Sequence, residues 1–269
     1  MYLGIDVGGT KTLVAALDND GVIVEHLRFP TPVRYENFIL ELAKTIDKLT
    51  TKKFKSAGTG IPGRIDRKKG VAIGFGRLTW PEVPIKKDFE KITHCPVVIE
   101  NDANLAGLSE AMLVKREYNR VLYVTIGTGI GTGIIDDQKI DPNFFDTEGG
   151  QILLEHGGRL QKWEDFASGM AIVKQFGKKA RDIHDQNTWK LIATNIYVGL
   201  IDLIAVIQPE IIILGGGVSS HYRHFSKFLK ADFKHYENVL VPIPPIIQAE
   251  RPENAVLYGC YDLAKMTYG

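Results

Sequence analysis

The chain has 269 residues, of which 44% are hydrophobic and 24% are charged, and its formal net charge is +1. These values are typical of a globular protein with one large domain or two modest ones, and the balanced charge excludes electrostatic attraction to nucleic acid or an anionic membrane. The N-terminus has no basic segment and no long apolar run, which predicts neither a signal peptide nor a membrane span. Cys95 and Cys260 lie far apart in the sequence, which favours free buried thiols in a reducing cytoplasm over a disulfide.

The first part of the chain predicts mainly strands, with amphipathic helices between them. In chain order the expected elements are strands at 2–7, 12–17 and 22–28, a helix over 36–49, a strand at 56–60, a helix after Pro84, a strand at 96–99 and a helix over 105–112. The first three strands form a meander, because Gly8-Gly9 and Asp18-Asn19-Asp20-Gly21 separate them as tight turns.

A second meander begins at Arg120, with a strand at 121–126, a glycine-dense turn at 127–133 and another strand that ends in an acidic turn. A shift of 119 positions lays Gly8 on Gly127 and Asp18 on Asp137, so the meander is an internal repeat. The rest of the chain predicts helices over 187–207, 219–235 and 254–267 and strands at 211–214 and 245–248. Strands alternating with helices indicate an α/β protein, and the repeat predicts two similar lobes that face each other across a cleft.

Three glycine-rich turns follow apolar strands. They are Asp6-Val7-Gly8-Gly9-Thr10-Lys11-Thr12, Gly127 to Gly133 and Gly215-Gly216-Gly217. Glycine lets backbone N–H groups approach a ligand, and the threonine hydroxyls and Lys11 are donors suited to phosphate oxygens. None has the spacing of a P-loop or of a Rossmann dinucleotide site, and each alone is also compatible with a plain hairpin turn. Asp6 fits either a Mg²⁺ ligand or a cap of its own turn.

An acidic and amide-rich segment, Glu100-Asn101-Asp102-Ala103-Asn104, follows a buried strand and precedes a helix. One interpretation is helix capping, since Asn and Asp are preferred at helix N-termini. Capping alone does not require two acids and two amides, and α/β proteins place ligands where strands end. A carboxylate at this place could take a proton from a substrate hydroxyl during phosphoryl transfer.

Five motifs, in this order, resemble the ROK family, which comprises repressors, open-reading-frame proteins and sugar kinases. They are Asp6 to Lys11, Gly60 to Gly63, Glu100 to Asn104, Gly127 to Gly131 and Leu214 to Gly217, within a similarity that runs from about Tyr2 to Ala264. The resemblance implies an α/β fold of the two-lobed, actin-like ATPase (ribonuclease H-like) type, with a duplicated β-meander in each lobe. We expect a small N-terminal lobe over 1–103, with the helix at 253–269 packing back on it, and a larger lobe over 104–252.

The resemblance also implies roles for individual residues, with Asp102 as the catalytic base. The implied sugar-binding residues are Gly63, Asn101, Asp102, Glu148, Gln151 and Glu164. The implied nucleotide-binding residues are Gly8, Gly9, Thr10, Lys11, Thr12, Gly127, Thr128, Gly129, Gly215, Gly216 and Gly217, the last three as the adenosine turn. ATP is the implied co-substrate, and Mg²⁺, held by Asp6 through water, is the expected cofactor.

The chain departs from the family pattern near its sugar-binding residues. The family's zinc-binding histidine is replaced by Gln151 and its cysteine cluster is missing, so no zinc site is expected. Gln151 can still donate and accept hydrogen bonds to a sugar hydroxyl, and the nearby His156 is expected to be a surface turn residue. Arg77 lies where related kinases commonly have a sugar-binding Asn; it could face solvent, pair with an acid, or select a charged or differently substituted sugar.

These observations predict a cytoplasmic, glucokinase-like enzyme of carbohydrate metabolism that uses ATP to phosphorylate a hexose or hexose derivative at its 6-hydroxyl. The alternatives are an N-acetylglucosamine or N-acetylmannosamine kinase, a fructokinase, or a non-catalytic sugar sensor. Repressors of the family carry a DNA-binding domain before the first strand, which here begins at Tyr2. The expected partners are ATP and a small sugar, with no nucleic acid and no membrane; homodimers are common in the family, and the sequence leaves the oligomeric state open.

Overall fold

The computed structural model describes residues 1–76, 78–236 and 239–269, and the chain divides into two compact units. Unit 1 comprises Met1–Ser109 and Asn254–Gly269, and unit 2 comprises Glu110–Glu253. The sequence predicts the division after residue 103, near the start of a helix. The observed division lies inside that helix, since the helix continues from one unit into the other.

Unit 1 contains the first meander and the helices that pack against it. Its elements are β1 (Tyr2–Val7), β2 (Lys11–Leu17), β3 (Ile23–Pro30), α1 (Tyr35–Lys48), β4 (Ala57–Ile61), β5 (Arg64–Asp66), β6 (Val71–Gly74), α2 (Ile85–Thr93), β7 (Val97–Asn101) and the first part of α3 (Asp102–Val114). The elements of unit 2 are β8 (Val121–Ile126), β9 (Ile130–Asp136), β10 (Lys139–Ile140), β11 (Leu153–His156), β12 (Arg159–Lys162), α4 (Trp163–Ala167), α5 (Gly169–Phe176), α6 (Gln186–Ile207), β13 (Ile211–Gly215), α7 (Gly216–Ser219), α8 (Tyr222–Lys234) and β14 (Ile246–Gln248). Single 3-10 turns occur at Gly149–Gln151 and Ala180–Asp182, and α9 (Ala255–Tyr268) returns the chain to unit 1.

The two large sheets repeat one topology. Their strand orders are β3-β2-β1-β4-β7 and β10-β9-β8-β13-β14, and in each an antiparallel meander is extended by two parallel strands. The predicted α/β class and the duplicated meander are therefore confirmed. In unit 1 the parallel register pairs Asp6 with Gly60 and Gly60 with Glu100, so the carboxyl ends of β1, β4 and β7 lie side by side.

Each sheet is covered by helices that bury regularly spaced apolar side chains. In unit 1, Phe38 and Leu42 of α1 and Phe89 of α2 are fully buried in one core cluster, while Leu257 of α9 packs in a second cluster with residues of β1 and β2. Cys95 and Cys260 are free and buried, as the sequence predicted.

Helix α6 is the central helix of the core of unit 2. By length and composition alone it could cross a membrane, but half of its most apolar stretch is buried inside the protein. The buried side chains include Trp189, Ile196 and Leu200, which pack in one cluster with Phe225 of α8. A core helix passes the same test of length and hydropathy, which explains the apolar character of α6.

Several local predictions were wrong. The turn predicted over 127–133 is shorter, because Gly131 and Gly133 belong to β9 and pair with Thr125 and Tyr123 of β8. The helix predicted over 219–235 corresponds to α8 and begins three residues later, at Tyr222, while residues 216 and 217, predicted as a turn, begin the short helix α7. The hairpins β5–β6 and β11–β12 were not predicted at all, since neither has a long apolar or alternating run.

Candidate active site

The turn between β1 and β2 presents backbone and side-chain donors to solvent. The amide of Gly8 donates to the carbonyl oxygen of Lys11 at 3.0 Å and closes the turn. Gly9, Thr10 and Lys11 are exposed, so their N–H groups and the Lys11 ammonium are accessible to an anion. Exposed donors on a tight turn are suited to bind phosphate oxygens.

Thr31, directly after β3, stabilises this turn through hydrogen bonds to its backbone. Its backbone N–H donates to the carbonyl oxygen of Thr10 at 3.0 Å, and its hydroxyl donates to that of Gly8 at 2.7 Å. Because a hydroxyl has one hydrogen, the Thr12 hydroxyl is the donor in its 2.9 Å bond to the Thr31 hydroxyl. Thr12 is fully buried, so it supports the turn from inside while Thr10 and Lys11 face solvent.

Asp102 begins α3 immediately after the buried strand β7. Its Oδ1 accepts a 2.8 Å hydrogen bond from the N–H of Ala103, and the side-chain oxygen of Asn101 accepts from the same N–H at 2.8 Å and from that of Asn104 at 3.3 Å. Asn101 also donates from Nδ2 to the carbonyl oxygen of Gly63 at 3.2 Å. The side chain of Asn101 thus caps two N–H groups at the start of α3, and the Asp102 carboxylate accepts from one of them.

Asp6, near the end of β1, and Asp102, which follows β7, form an acidic pair at the same edge of the sheet. Burial first, and then the negative charge of Asp102, raise the pKa of Asp6 to about 7, against a smaller lowering of the pKa by Lys11. The pair therefore holds a proton on Asp6 at pH values where an isolated aspartate is ionised. A cation at this place would relieve the repulsion.

This raised pKa predicts how stability depends on pH. Between the usual value of 3.8 and about 7 the native state binds a proton at Asp6 that the unfolded state does not, so the free energy of unfolding should fall as the pH rises through this window. We expect the melting temperature of Asp6→Asn to depend less on pH in this window than that of the wild type, when both are measured in the presence of a chelator. Asp66→Asn is the matched control. A hydrogen bond from the backbone of Lys69 lowers the pKa of Asp66, so its contribution to the pH dependence of stability lies below this window. Parallel slopes for the wild type and Asp6→Asn would contradict the prediction.

The corresponding turn in unit 2 joins β8 to β9. The N–H of Gly127 donates to the carbonyl oxygen of Gly129 at 3.0 Å, and the N–H of Gly169, at the start of α5, donates to that of Gly127 at 2.7 Å. Thr128 at the tip is exposed. The turn therefore resembles the first in presenting an exposed hydroxyl on a fixed backbone, although it is one residue shorter.

Glu148, Gln151 and Glu164 surround the same turn of unit 2. The side chain of Gln151 donates from Nε2 to Oε1 of Glu164 at 2.6 Å, and Oε2 of Glu164 accepts from the N–H of Ile130 at 3.3 Å. Burial of the Glu148 carboxyl, and then the charge of Glu164, raise the pKa of Glu148. Three polar side chains with oxygen acceptors and one amide donor suit a ligand with several hydroxyl groups.

The third glycine turn follows β13, where Gly215 pairs with Thr125 of β8. Gly216 has φ +82°, and a Cβ there would lie 2.7 Å from backbone atoms of Ile126. Only glycine fits this position without strain, so the chain can pass close to β8 and then begin α7.

The hairpin β11–β12 lies between Gln151 and Glu164, the segment in which no zinc site was expected. His156 stacks on Phe166 with ring centroids 4.2 Å apart and is partly buried, so the prediction of a simple surface turn residue is corrected. Gln161 donates to the carbonyl oxygen of His156 at 2.8 Å, and Leu154 is buried under the hairpin. Within the described residues, no three His, Cys, Asp or Glu side chains come together as a metal site.

Sequence reasoning missed the supporting residues of the site. Thr31 gave no signal, because a lone threonine after a strand is unremarkable. Glu100 did give one: a charged residue at the end of a buried strand requires a partner, and that partner is Arg67. Arg77, for which three roles were open, lies outside the described residues.

Comparison with known proteins identifies the family. The model of the ROK family matches residues 2–267. The chain belongs to the ROK family. It is 26% identical to a glucokinase of Streptomyces coelicolor, with 98% of both chains covered, and 30% identical to a putative fructokinase of Bacillus subtilis over 84% of this chain and 80% of that one.

Among solved structures, the chain is similar to a ROK family glucokinase from Streptomyces griseus in complex with glucose and AMPPNP. The TM-score is 0.83 and the identity 25%, with 98% of this chain and 99% of that chain covered. The actin-like ATPase fold expected from the sequence is thereby confirmed for this ROK family member.

Proposed function

We propose that this ROK family member, an ATP-dependent sugar kinase, transfers the γ-phosphoryl group to the 6-hydroxyl of a glucose-like hexose, with Asp102 as the general base. The observation that carries the proposal is the acidic pair of Asp6 and Asp102, which adjoins the exposed turn over 8–11. A carboxylate at a strand end, beside donors suited to phosphate, can accept the proton of a hydroxyl group that attacks a phosphoryl group.

In this mechanism the hydroxyl oxygen of the sugar forms a bond to the γ-phosphorus while the bond between that phosphorus and the β,γ-bridging oxygen breaks. The hydroxyl proton passes to the Asp102 carboxylate, and the products are the sugar phosphate and ADP. Gly9, Thr10 and Lys11 hold phosphate oxygens at the first turn, and Gly127 to Gly129 do so at the second. Most of the acceleration comes from positioning and from charge stabilisation.

The residues present fit a magnesium ion. Asp6 adjoins the phosphate-binding turn, and its pKa of about 7, raised first by burial and then by the charge of Asp102, belongs to an acid whose ionised form a cation would stabilise. Magnesium keeps several waters and takes few protein ligands besides substrate phosphates, so Asp6 acting through water is sufficient on the protein side. When bound, the ion neutralises charge on the phosphate oxygens.

Sugar recognition is assigned to polar residues of both units. In unit 1 these are Asn101, whose amide donates to the backbone of Gly63, and the neighbouring Asp102. In unit 2, Glu148, Gln151 and Glu164 supply acceptors and a donor for sugar hydroxyls. One N–H of the Gln151 amide is engaged with Glu164, so its oxygen can accept from a sugar hydroxyl and its second N–H can donate to one. Gly215 to Gly217 are assigned to the adenosine.

A screen of ADP release with a panel of hexoses and amino sugars tests the proposal. We expect ATP turnover that depends on the sugar and is highest with glucose. Faster turnover with fructose, N-acetylglucosamine or N-acetylmannosamine would change the assigned substrate and leave the assignment as a sugar kinase in place. Sugar binding without ADP release by any member of the panel would instead identify a sensor.

Thr31 gives a test of the first phosphate turn. Thr31→Val keeps the shape but leaves the carbonyl of Gly8 and the hydroxyl of Thr12 without their partner, a loss of about 1–3 kcal/mol per buried group. We expect the KM for ATP to rise about tenfold, with a smaller change in the KM for sugar. Thr31→Ser retains the hydroxyl and should resemble the wild type. An unchanged KM for ATP in Thr31→Val would remove this turn from the proposed nucleotide site.

A further inference from the structure

Glu100 is a buried carboxylate directly before the proposed catalytic residues. Only 4% of its side chain is exposed. Its Oε1 accepts from the backbone N–H of Asn101 at 2.6 Å and from Nδ2 of Asn104 at 2.9 Å. One carboxylate oxygen thus holds the residues on both sides of Asp102.

Arg67 supplies the positive charge that this buried carboxylate requires. Its Nε donates to Oε2 of Glu100 at 2.6 Å and its Nη2 donates to Oε1 at 2.5 Å, which is a bidentate pair. Arg67 follows β5 in the turn before β6, 33 residues away in sequence. The planar guanidinium fixes both the position and the orientation of the carboxylate, which a lysine ammonium would not do.

The contacts form one chain of support from Arg67 to the reacting group. Arg67 orients Glu100, Glu100 holds the N–H of Asn101, and Asn101 in turn caps α3 through the N–H groups of residues 103 and 104. Asp102 lies between these fixed points. A base that is misplaced by about 1 Å can lose about 100-fold in rate, so the backbone on either side of Asp102 has to be held firmly.

We propose that Arg67 and Glu100 are a pair of positioning residues that set the orientation of Asp102 for proton transfer. The pair touches neither reacting atom and acts through the backbone at Asn101 and the amide of Asn104. This inference rests on the proposed role of Asp102 as the base.

Chemical rescue of Arg67→Ala tests the pair. We expect kcat to fall about 100-fold while the KM for ATP stays within about threefold, because the phosphate turns are untouched. The Arg67 side chain is 21% exposed, so added guanidinium, kept well below denaturing concentrations, can reach the vacated place. It should restore kcat at least about tenfold, whereas a merely structural role would give no such recovery.

Lys69→Ala is the matched control. Lys69 lies in the same turn, its side chain is 75% exposed, and it pairs with Asp66 at 3.5 Å. This variant should keep the wild-type kcat and should not respond to guanidinium. If Arg67→Ala does not fold, Arg67→Lys takes its place, with an expected loss of about tenfold in kcat and an unchanged KM for ATP.

A double-mutant cycle separates the pair from unrelated damage. Because Arg67 acts only through Glu100, the double variant Arg67→Ala/Glu100→Gln should lose no more activity than the less active of the two single variants. Multiplicative losses, or a wild-type kcat in the Arg67 variant, would overturn the inference. If such a result accompanies an inactive Asp102→Asn, the proposed base stands and only the positioning role falls; an active Asp102→Asn removes the base itself.

Discussion

Asp102→Asn should abolish phosphoryl transfer while leaving the protein folded. The amide keeps an oxygen that can accept from the N–H of Ala103, so the start of α3 is preserved. It cannot take a proton from the sugar hydroxyl, and loss of a general base costs about 100- to 10,000-fold in rate. ADP release with the best sugar of the screen measures kcat, and thermal unfolding checks that the melting temperature is unchanged.

The matched control for this variant is Asp185→Asn. Asp185 also stands at the start of a helix, α6, where its carboxylate accepts from the N–H of Thr188 at 2.7 Å. If acids at helix starts mattered here only as caps, both variants would behave alike, with activity close to that of the wild type. Near-full activity of Asp102→Asn would therefore refute the assignment of the base.

Trp163→Ala should be among the most destabilising substitutions in unit 2. The indole is fully buried, and its Nε1 donates to the carbonyl oxygen of Asn195 on α6 at 3.0 Å. Helix α6 approaches it closely at Gly199, where a Cβ would lie 2.2 Å from the ring. Removal of a buried tryptophan leaves a large cavity and costs about 3–5 kcal/mol.

The same substitution bears on the proposed sugar site, because Glu164 is the next residue in α4. Trp163→Phe retains most of the volume and loses the hydrogen bond, so it should cost only about 1–2 kcal/mol. Denaturant unfolding followed by circular dichroism compares the two variants with the wild type. Equal stabilities of the Ala and Phe variants would show that the buried volume of Trp163 does not hold α4 in place.

The predicted elements and the observed ones differ in an instructive way at glycines. The sequence treated Gly131 and Gly133 as part of a turn, whereas both lie in β9. Glycine permits turns as well as close strand pairing, so its presence alone cannot separate the two. The turn over 8–11 was predicted well, because apolar runs on both sides limit it to a few residues.

The candidate site shows the same division. The acid at 102 and the glycine turns were recognisable, since each is a local pattern between predicted elements. Arg67 was not, because the chain has many exposed cations and only the folded register brings one of them to Glu100. The stacking of His156 on Phe166 likewise depends on a hairpin that has no clear signal of its own.

By itself, the sequence determined the α/β class, the repeated meander, the family resemblance and the catalytic candidate Asp102, because all of these rest on local periodicity and on motifs in a fixed order. The tertiary structure alone decided which side chains support those motifs: Thr31 bonded to the phosphate turn, Arg67 paired with Glu100, and Trp163 bonded to Asn195 of α6. The physical reason is that hydrogen bonds and ion pairs between distant residues depend on strand register and helix packing. One pattern of apolar residues is compatible with many different sets of such contacts.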